Sequence, residues 1–312
     1  MKETAKIEPL NIKTAVAVGY FDGIHLGHRM ILKTAEEYAE RMGLHSAVFT
    51  FDMTAKRISG KGSGDLISAQ LKKKLIADLG IDYYVCPAFE SICDLSGNEF
   101  VDRILSVKCL NAAVVVCGTD FRFGKNRECG VRELAKLCGP YGIQVFPQDP
   151  VTLDGEKVSS TRIKTALQKG NIQLVNRLLG YNYSVMGTVI NGNHKANELG
   201  FPTANIRFPE GCVLPQKGVY ISDTDIDGFR FRGITNIGTR PTLTDDTETV
   251  VETHLIDFDE DLYGFDITVE LLKYIRPEQK FSTVDELVET VKMNIETART
   301  LVFRDVRNDK NK

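Results

Sequence analysis

Two histidines three residues apart, His25 and His28, stand in the run Gly19-Tyr20-Phe21-Asp22-Gly23-Ile24-His25-Leu26-Gly27-His28. The β-branched and alanine segment just before it, Thr14 to Val18, reads as a strand. A 3.6-residue period from about His28 to Met42 reads as a helix with Ile31, Ala35, Tyr38 and Met42 on one face. The pair therefore sits where a strand hands over to a helix. A helix start offers unpaired N–H groups and partial positive charge, which suit phosphate. The carboxyl edge of a parallel sheet is also where open α/β folds bind ligands. At this spacing both imidazoles can face one phosphate, with Gly27 leaving room for it, and Gly19 and Gly23 permit tight turns and close backbone approach.

A second candidate lies far downstream, in Leu199-Gly200-Phe201-Pro202-Thr203-Ala204-Asn205. Pro202 sets an extended approach, and two-residue alternation turns Thr203 and Asn205 to one side. A hydroxyl and an amide oxygen so placed can ligate Mg2+ while phosphates supply further oxygens. Taken alone, Ser159-Ser160-Thr161 reads as a helix N-cap, Asp120 as a turn residue and Glu252 as a strand-surface carboxylate.

The elements that must position these residues alternate through the first half. Strands are expected at Ser46 to Phe51, Tyr83 to Cys86 and Ala113 to Cys117, and helices at Gln70 to Leu79 and Val131 to Cys138. A further helix, opened by a Ser96/Glu99 capping box, carries Phe100, Ile104 and Leu105. Such alternation predicts a parallel sheet with helices on both faces. Helices at Thr161 to Lys169 and Ile172 to Leu179 close this half. The texture changes at Gly180-Tyr181. Alternating segments at Tyr183 to Ile190, Gly218 to Ile221, Phe229 to Ile237, Val250 to Ile256 and Asp266 to Leu272 predict a small antiparallel barrel or sandwich. One long helix follows, with a Thr283/Glu286 capping box and a stripe of Leu287, Val288, Val291, Ile295, Ala298 and Val302, before a polar end at 304–312.

With 42% hydrophobic and 26% charged residues in 312, the chain is that of a globular protein with a real core. A net charge of -3 argues against nucleic acid as a general partner, and Lys72-Lys73-Lys74 reads as the solvated face of a helix. No apolar run approaches the roughly 18 residues that span a membrane, and Met1-Lys2-Glu3 leads into no signal-peptide core. Seven cysteines without a CxxC pair fit a reducing cytoplasm better than disulfides or zinc.

The run Gly19 to His28 resembles the HxGH signature of the nucleotidyltransferase superfamily. In its longer form it is similar to the adenylyltransferase half of bacterial bifunctional riboflavin kinase/FMN adenylyltransferases, the FAD synthetases. That resemblance implies nucleotide contacts from Gly19, Phe21, Asp22, Gly23 and Gly27 and catalytic roles for His25 and His28. Gly118-Thr119-Asp120-Phe121-Arg122-Phe123-Gly124 is similar to the family's flavin-holding turn, which implies flavin contacts for Asp120, Phe121 and Phe123. Ser159-Ser160-Thr161-Arg162-Ile163 resembles its second nucleotide motif, with Ser160 and Thr161 presenting hydroxyls and helix-start N–H groups to a triphosphate. Lys164 stands where the motif has arginine, keeping the charge without the bidentate fork. Asp52-Met53-Thr54 replaces the usual Pro/His turn.

Pro202 to Asn205 resembles the PTAN motif of riboflavin kinases, and Glu252-Thr253-His254 the strand that supplies their general base. This implies that Thr203 and Asn205 hold Mg2+ and that Glu252 takes the proton of the ribityl 5′-hydroxyl. His254 points the same way by strand period and is read as structural. Tyr274-Ile275-Arg276-Pro277-Glu278 resembles a later segment, where Arg276 is either a surface ion pair or a flavin contact. Gly187, Gly192 and Lys195 are implied in nucleotide binding; Ala196 and Asn197 stand where relatives usually carry a glycine and a basic residue.

The resemblance thus implies a Rossmann-like α/β nucleotidyltransferase domain over 1–181. A small antiparallel β-barrel kinase domain with a C-terminal helix follows over 182–312. The implied substrates and products are riboflavin, FMN, ATP and FAD, with pyrophosphate released. The alternative is an FMN adenylyltransferase with a weak or inactive, flavin-binding kinase domain. The sequence leaves oligomeric state open.

Overall fold

The computed structural model describes residues 1–52, 64–191, 199–241 and 247–301. Contacts divide the chain into two compact units: Met1–Gly62 with Ala69–Ser159, and Ser63–Ser68 with Ser160–Lys312.

The first unit runs β1 (Lys2–Thr4), β2 (Thr14–Val18), α1 (Leu26–Met42), β3 (His45–Phe49), α2 (Ala69–Ala77), β4 (Tyr83–Val85), α3 (Gly97–Phe100), β5 (Ala112–Gly118), α4 (Val131–Cys138) and β6 (Gln144–Gln148). A hairpin of β7 (Thr152–Leu153) and β8 (Glu156–Lys157) closes it. Six parallel strands lie in the order β1-β4-β3-β2-β5-β6. The expected parallel α/β sheet is present, with β2 buried at its centre because its five residues are β-branched or alanine.

Three expectations need correction. Helix α1 buries Leu32, Ala35 and Ala39, one position round from the face read from the sequence. The alanines let the helix approach the sheet closely. Tyr38 flanks that seam, stacking on Phe146 at 4.4 Å, and Met42, the last residue before the left-handed cap Gly43, stays exposed. The Ser96/Glu99 box is present, but α3 lasts one turn and continues as a π-helical turn over Val101–Leu105. Lys72 is not on a solvated face: it is 7% exposed, with Leu71 and Ile76 on the buried side of α2, while Lys73 and Lys74 point outward. Strands β1 and β6 had no clear sequence signal. Both are edges; β1 has three residues, and Pro147 within β6 argues against a strand anywhere except an edge.

The second unit opens with α5 (Ser160–Gln168) and α6 (Ile172–Leu179). Then come β9 (Ser184–Thr188), β10 (Ala204–Arg207), β11 (Gly218–Ile226), β12 (Phe229–Pro241), β13 (Thr247–Leu255), β14 (Asp266–Arg276) and α7 (Val284–Thr300). The strands form one antiparallel sheet, β10-β13-β12-β11-β14-β9, whose ends meet where the Ile190 N–H donates to the Asn205 carbonyl at 2.8 Å. This is a nearly closed six-stranded barrel, the first of the two antiparallel forms, barrel or sandwich, that the texture predicted. Helix α7 covers it with Ile295 and Ala298, while Leu287, Val288 and Val291 are half-buried; Val302 of the expected stripe lies outside the described residues. Thr283 caps the helix at the Glu286 N–H, but the Glu286 carboxylate accepts from Ser282, so the reciprocal half of the box is displaced by one residue.

Helices α5 and α6 thus belong by contact to the barrel unit. Asn176, 5% exposed on α6, ties helix to barrel: its Nδ2 donates to the Leu271 carbonyl (2.9 Å) and its Oδ1 accepts the Tyr183 N–H (2.8 Å). Asn182, which also receives an Asn176 N–H, donates in turn to Glu270, and Glu270 pairs with Arg230. Asn176→Ala removes both of these buried hydrogen bonds, so we expect a loss of about 2 kcal/mol or more in urea melts followed by far-UV circular dichroism.

Candidate active sites

The strand order reverses beside β2. Strands β3 and β4 lie to one side and β5 and β6 to the other, so the carboxyl ends of β2 and β5 mark the switch point at which open α/β sheets bind ligands. Both sequence-predicted motifs of the first unit leave from these two ends.

After β2, the Gly19 N–H still pairs with Phe49 of β3 at 3.2 Å. The chain then takes left-handed backbone at Phe21 (φ 56°), Gly23 (φ 80°) and Ile24 (φ 41°). Two of these are not glycine, and each such residue costs of order 1–3 kcal/mol, which is sustained only where the surroundings over-determine it. Burial does so here: Phe21 and Ile24 are almost fully enclosed, and the Phe21 ring meets Gly19 on one side and the edge of His28, at 5.4 Å, on another.

His25 then caps α1, its Nδ1 accepting the His28 N–H at 3.3 Å. The two imidazoles stack with centroids 3.6 Å apart. A side chain at Gly27 would meet the His25 ring at 3.3 Å, so this glycine makes room for the imidazole itself. Burial is the main force on both titrations. It lowers His25 to about 4, with Lys157 lowering it further and Asp22 and Asp120 opposing. It holds His28 well below the ordinary histidine value, helped by His25 and Lys72. Both rings are therefore neutral near pH 7. A neutral His25 that accepts at Nδ1 carries its proton on Nε2, and the buried Nδ1 of His28 has no protein partner.

At the end of β5, Asp120 is exposed and bound to Lys157 of β8 at 2.5 Å, which holds its carboxyl below the usual range. Phe121 and Phe123 stack in parallel at 5.8 Å, but only Phe121 is partly open. Phe123 is 5% exposed and packs into the core on Phe100. Ser159 ends the first unit, and Ser160, Thr161 and Lys164 stand on α5 in the second.

In the barrel, register brings the second motif together. Asn205 of β10 lies opposite Glu252 of β13, which lies opposite Asn236 of β12, so the three form a row across adjacent strands on one face. Thr203, Asn205, Asn236, Glu252, His254 and Arg276 line one cavity of about 400 Å3, walled by Phe201, Val219, Ile234, Phe281 and Leu287. Asn205 is 3% exposed. Its amide donates to the Thr203 carbonyl (3.1 Å) and hydroxyl (3.3 Å), which leaves its Oδ1 buried without a protein partner. His254 holds the Pro202 carbonyl at 2.8 Å through Nδ1. Arg276 faces the Phe281 ring at 5.6 Å, its buried Nε unpartnered. Gly187 does not line this cavity; it lies in β9, where a Cβ would crowd Ile206 at 3.3 Å. Gly192, Lys195, Ala196, Asn197, Met53 and Thr54 lie outside the described residues.

Comparisons with known proteins cover both stretches of the chain. A family model described as FAD synthetase matches residues 7–162 and one described as riboflavin kinase matches 179–302. Bifunctional riboflavin kinase/FMN adenylyltransferases from Listeria monocytogenes and Bacillus subtilis are 34% and 35% identical over 294 residues each. These matches cover 93% and 92% of this chain, and 92% of each relative. The protein of the same description from Escherichia coli is 34% identical, over 91% of both chains.

The chain belongs to the bifunctional riboflavin kinase/FMN adenylyltransferase family.

It is a transferase of flavin cofactor biosynthesis carrying both family domains. A solved structure titled as a macrolide-efflux protein from Streptococcus pneumoniae shares the fold at TM-score 0.83 and 27% identity, covering 97% of this chain and all of that one. No described helix here is long and apolar enough to cross a membrane.

Two lysines beside the histidine pair, Lys72 and Lys157, were not read as site residues from the sequence. Neither sits in a motif: one hides in a lysine run and the other ends a two-residue strand. The neutral histidines also carry a pH signature. Unfolded His25 titrates at its ordinary 6.5 and folded His25 near 4, so between these values the unfolded state binds more protons. Stability contributed at this site is complete above pH 6.5 and is lost as pH falls toward 4. Thermal melts at about pH 7 and pH 4.5 should therefore show a smaller acid-induced drop in His25→Gln than in the parent protein.

Proposed function

We propose that the barrel unit phosphorylates riboflavin at its ribityl 5′-hydroxyl with ATP, giving FMN. The Gly19 to His28 turn serves transfer of AMP from ATP to FMN, giving FAD and pyrophosphate. The observation that carries the kinase half is the Asn205, Glu252 and Asn236 row facing the 400 Å3 cavity, a volume within the range of small-molecule sites. Glu252 accepts the proton of the attacking hydroxyl, or orients it where the transition state is loose. The buried, unpartnered Nε of Arg276 in the same cavity favours a flavin contact over a surface ion pair.

Mg2+ fits the other end of that row. Thr203 and Asn205 supply neutral oxygens of the hard class that Mg2+ takes, and the orphaned Asn205 Oδ1 is an acceptor awaiting a cation. When bound there, Mg2+ would neutralise phosphate charge. His254, by holding the Pro202 carbonyl, orients the segment that carries Thr203.

In the transferase half, His25 and His28 act as preorganised neutral N–H donors to phosphate oxygens, with no covalent intermediate. Gly19, Phe21, Asp22, Gly23 and Gly27 shape the nucleotide turn, and Asp120 with Phe121 meets the flavin, Phe123 backing it from the core. Ser159, Ser160, Thr161 and Lys164 are assigned to ATP phosphates on their motif alone, as Gly187, Gly192 and Lys195 are to the kinase nucleotide. The transferase segment is taken to run to residue 181 and the kinase segment from 182 to 312. Seven free thiols accord with a reducing cytoplasm.

Incubation with riboflavin, Mg2+ and ATP, followed by separation of riboflavin, FMN and FAD, tests both steps; absence of FMN or of FAD rejects the corresponding half. His28→Ala should lower FAD formation from supplied FMN by about 10²–10³-fold while riboflavin phosphorylation persists. Glu252→Gln should lower phosphorylation at saturating Mg-ATP by about 10²–10⁴-fold with FAD formation intact. Thr203→Ala and Asn205→Ala should raise the Mg2+ concentration needed for half-maximal phosphorylation; unchanged Mg2+ dependence would remove both from the metal site.

A further inference from the structure

Lys72 is an unexpected residue to find buried, since lysine is almost never enclosed without partners. It lies on α2, which packs against the turn Asp22–Ile24. Its ammonium donates to the Tyr20 carbonyl at 3.2 Å and sits 4.5 Å above the Tyr20 ring. That ring rests on Phe51 at 5.1 Å, and Phe51 on Phe89 at 5.3 Å, so the charge occupies an aromatic wall. The same carbonyl accepts a second bond, from the Thr50 hydroxyl at 3.0 Å. Two donors on one carbonyl occupy both its lone pairs and fix the Tyr20–Phe21 peptide plane. The orientation of that plane sets φ of Phe21, the first left-handed residue of the turn that delivers His25 and His28.

We propose that Lys72 is a positioning residue for adenylyl transfer, locking the head of the histidine turn through the Tyr20 carbonyl and fixing a positive charge beside the site. The inference rests on the reading of that turn as the adenylyl site. Lys72 also weighs, after burial and His25, against protonation of His28, so it keeps that ring a neutral donor while supplying charge that the histidines do not. A merely space-filling lysine would use its stem and leave its head in water. Here the whole side chain is enclosed and the head is bonded to a backbone carbonyl.

The test uses the full chain with Lys72→Met, which keeps the length of the stem and removes charge and donor, and Lys72→Arg, which keeps both. His28→Ala is assayed alongside. We expect Lys72→Met to lower kcat for FAD formation from FMN about 10–10²-fold, with KM for ATP changed less than about threefold. Riboflavin phosphorylation by the same preparation should stay within about twofold and so report a folded chain. Lys72→Arg should recover most of the lost rate. Should Lys72→Met fail to fold, Lys72→Gln, which keeps a donor without charge, replaces it with the same expectation.

Wild-type FAD formation in Lys72→Met, alongside its loss in His28→Ala, overturns the role of Lys72 and leaves the site standing. Equal loss in Lys72→Met and Lys72→Arg, with a lowered melting temperature in both, also overturns it, because packing then explains the effect. Full activity in His28→Ala removes the site reading itself, and the inference with it.

Discussion

In the first unit, the chain leaves β2 for β3 and β4 on one side of the sheet and returns to lay down β5 and β6 on the other. The carboxyl ends of β2 and β5 therefore lie side by side where the strand order reverses. That reversal is where the histidine turn begins and where the Gly118–Gly124 turn carrying Asp120 begins. Side chains 95 residues apart in the chain, His25 and Asp120, come to act on one another's charge because of it. The left-handed backbone at Phe21 and Ile24 is sustained because both side chains are almost fully enclosed.

Desolvation is the second common thread. Burial strips both histidines of charge, so positive charge near the pair comes from Lys72 and Lys157, whose partners are a carbonyl and Asp120. The barrel uses an equivalent device. Asn205 spends its amide hydrogens on Thr203 and leaves its carbonyl oxygen enclosed and unmatched. A buried acceptor without a partner costs about 1–3 kcal/mol, a cost that a cation bound there would offset. Each unit thus carries polar atoms, His28 Nδ1 in one and Asn205 Oδ1 in the other, that the fold alone does not satisfy.

The two compact units do not divide where the texture of the sequence changes. That texture breaks at Gly180-Tyr181 because helix period gives way to strand period there. Contacts instead divide the chain at Ser159, because Asn176 and the apolar face of α6 find their partners on β14. The two family models, ending at 162 and starting at 179, leave most of this helical pair between them.

The sequence by itself determined what depends on neighbours along the chain. Period-2 and period-3.6 patterns placed most strands and helices, glycine and proline placed the turns, and the spacing of His25 and His28 placed the histidines at a strand-to-helix junction. Local rules also explain what was less legible. Edge strands β1 and β6 are short or contain proline, so they carry little periodic signal, and the exact face of α1 depends on how closely two alanines let it approach the sheet. Only the tertiary structure decided which polar groups share a site and in what charge state. Cross-strand register set Asn205 opposite Glu252, packing of α2 turned Lys72 inward while its two neighbours stayed in water, and the β7–β8 hairpin carried Lys157 to Asp120. Those outcomes rest on desolvation and on contacts between residues distant in the chain, and no run of adjacent letters encodes either.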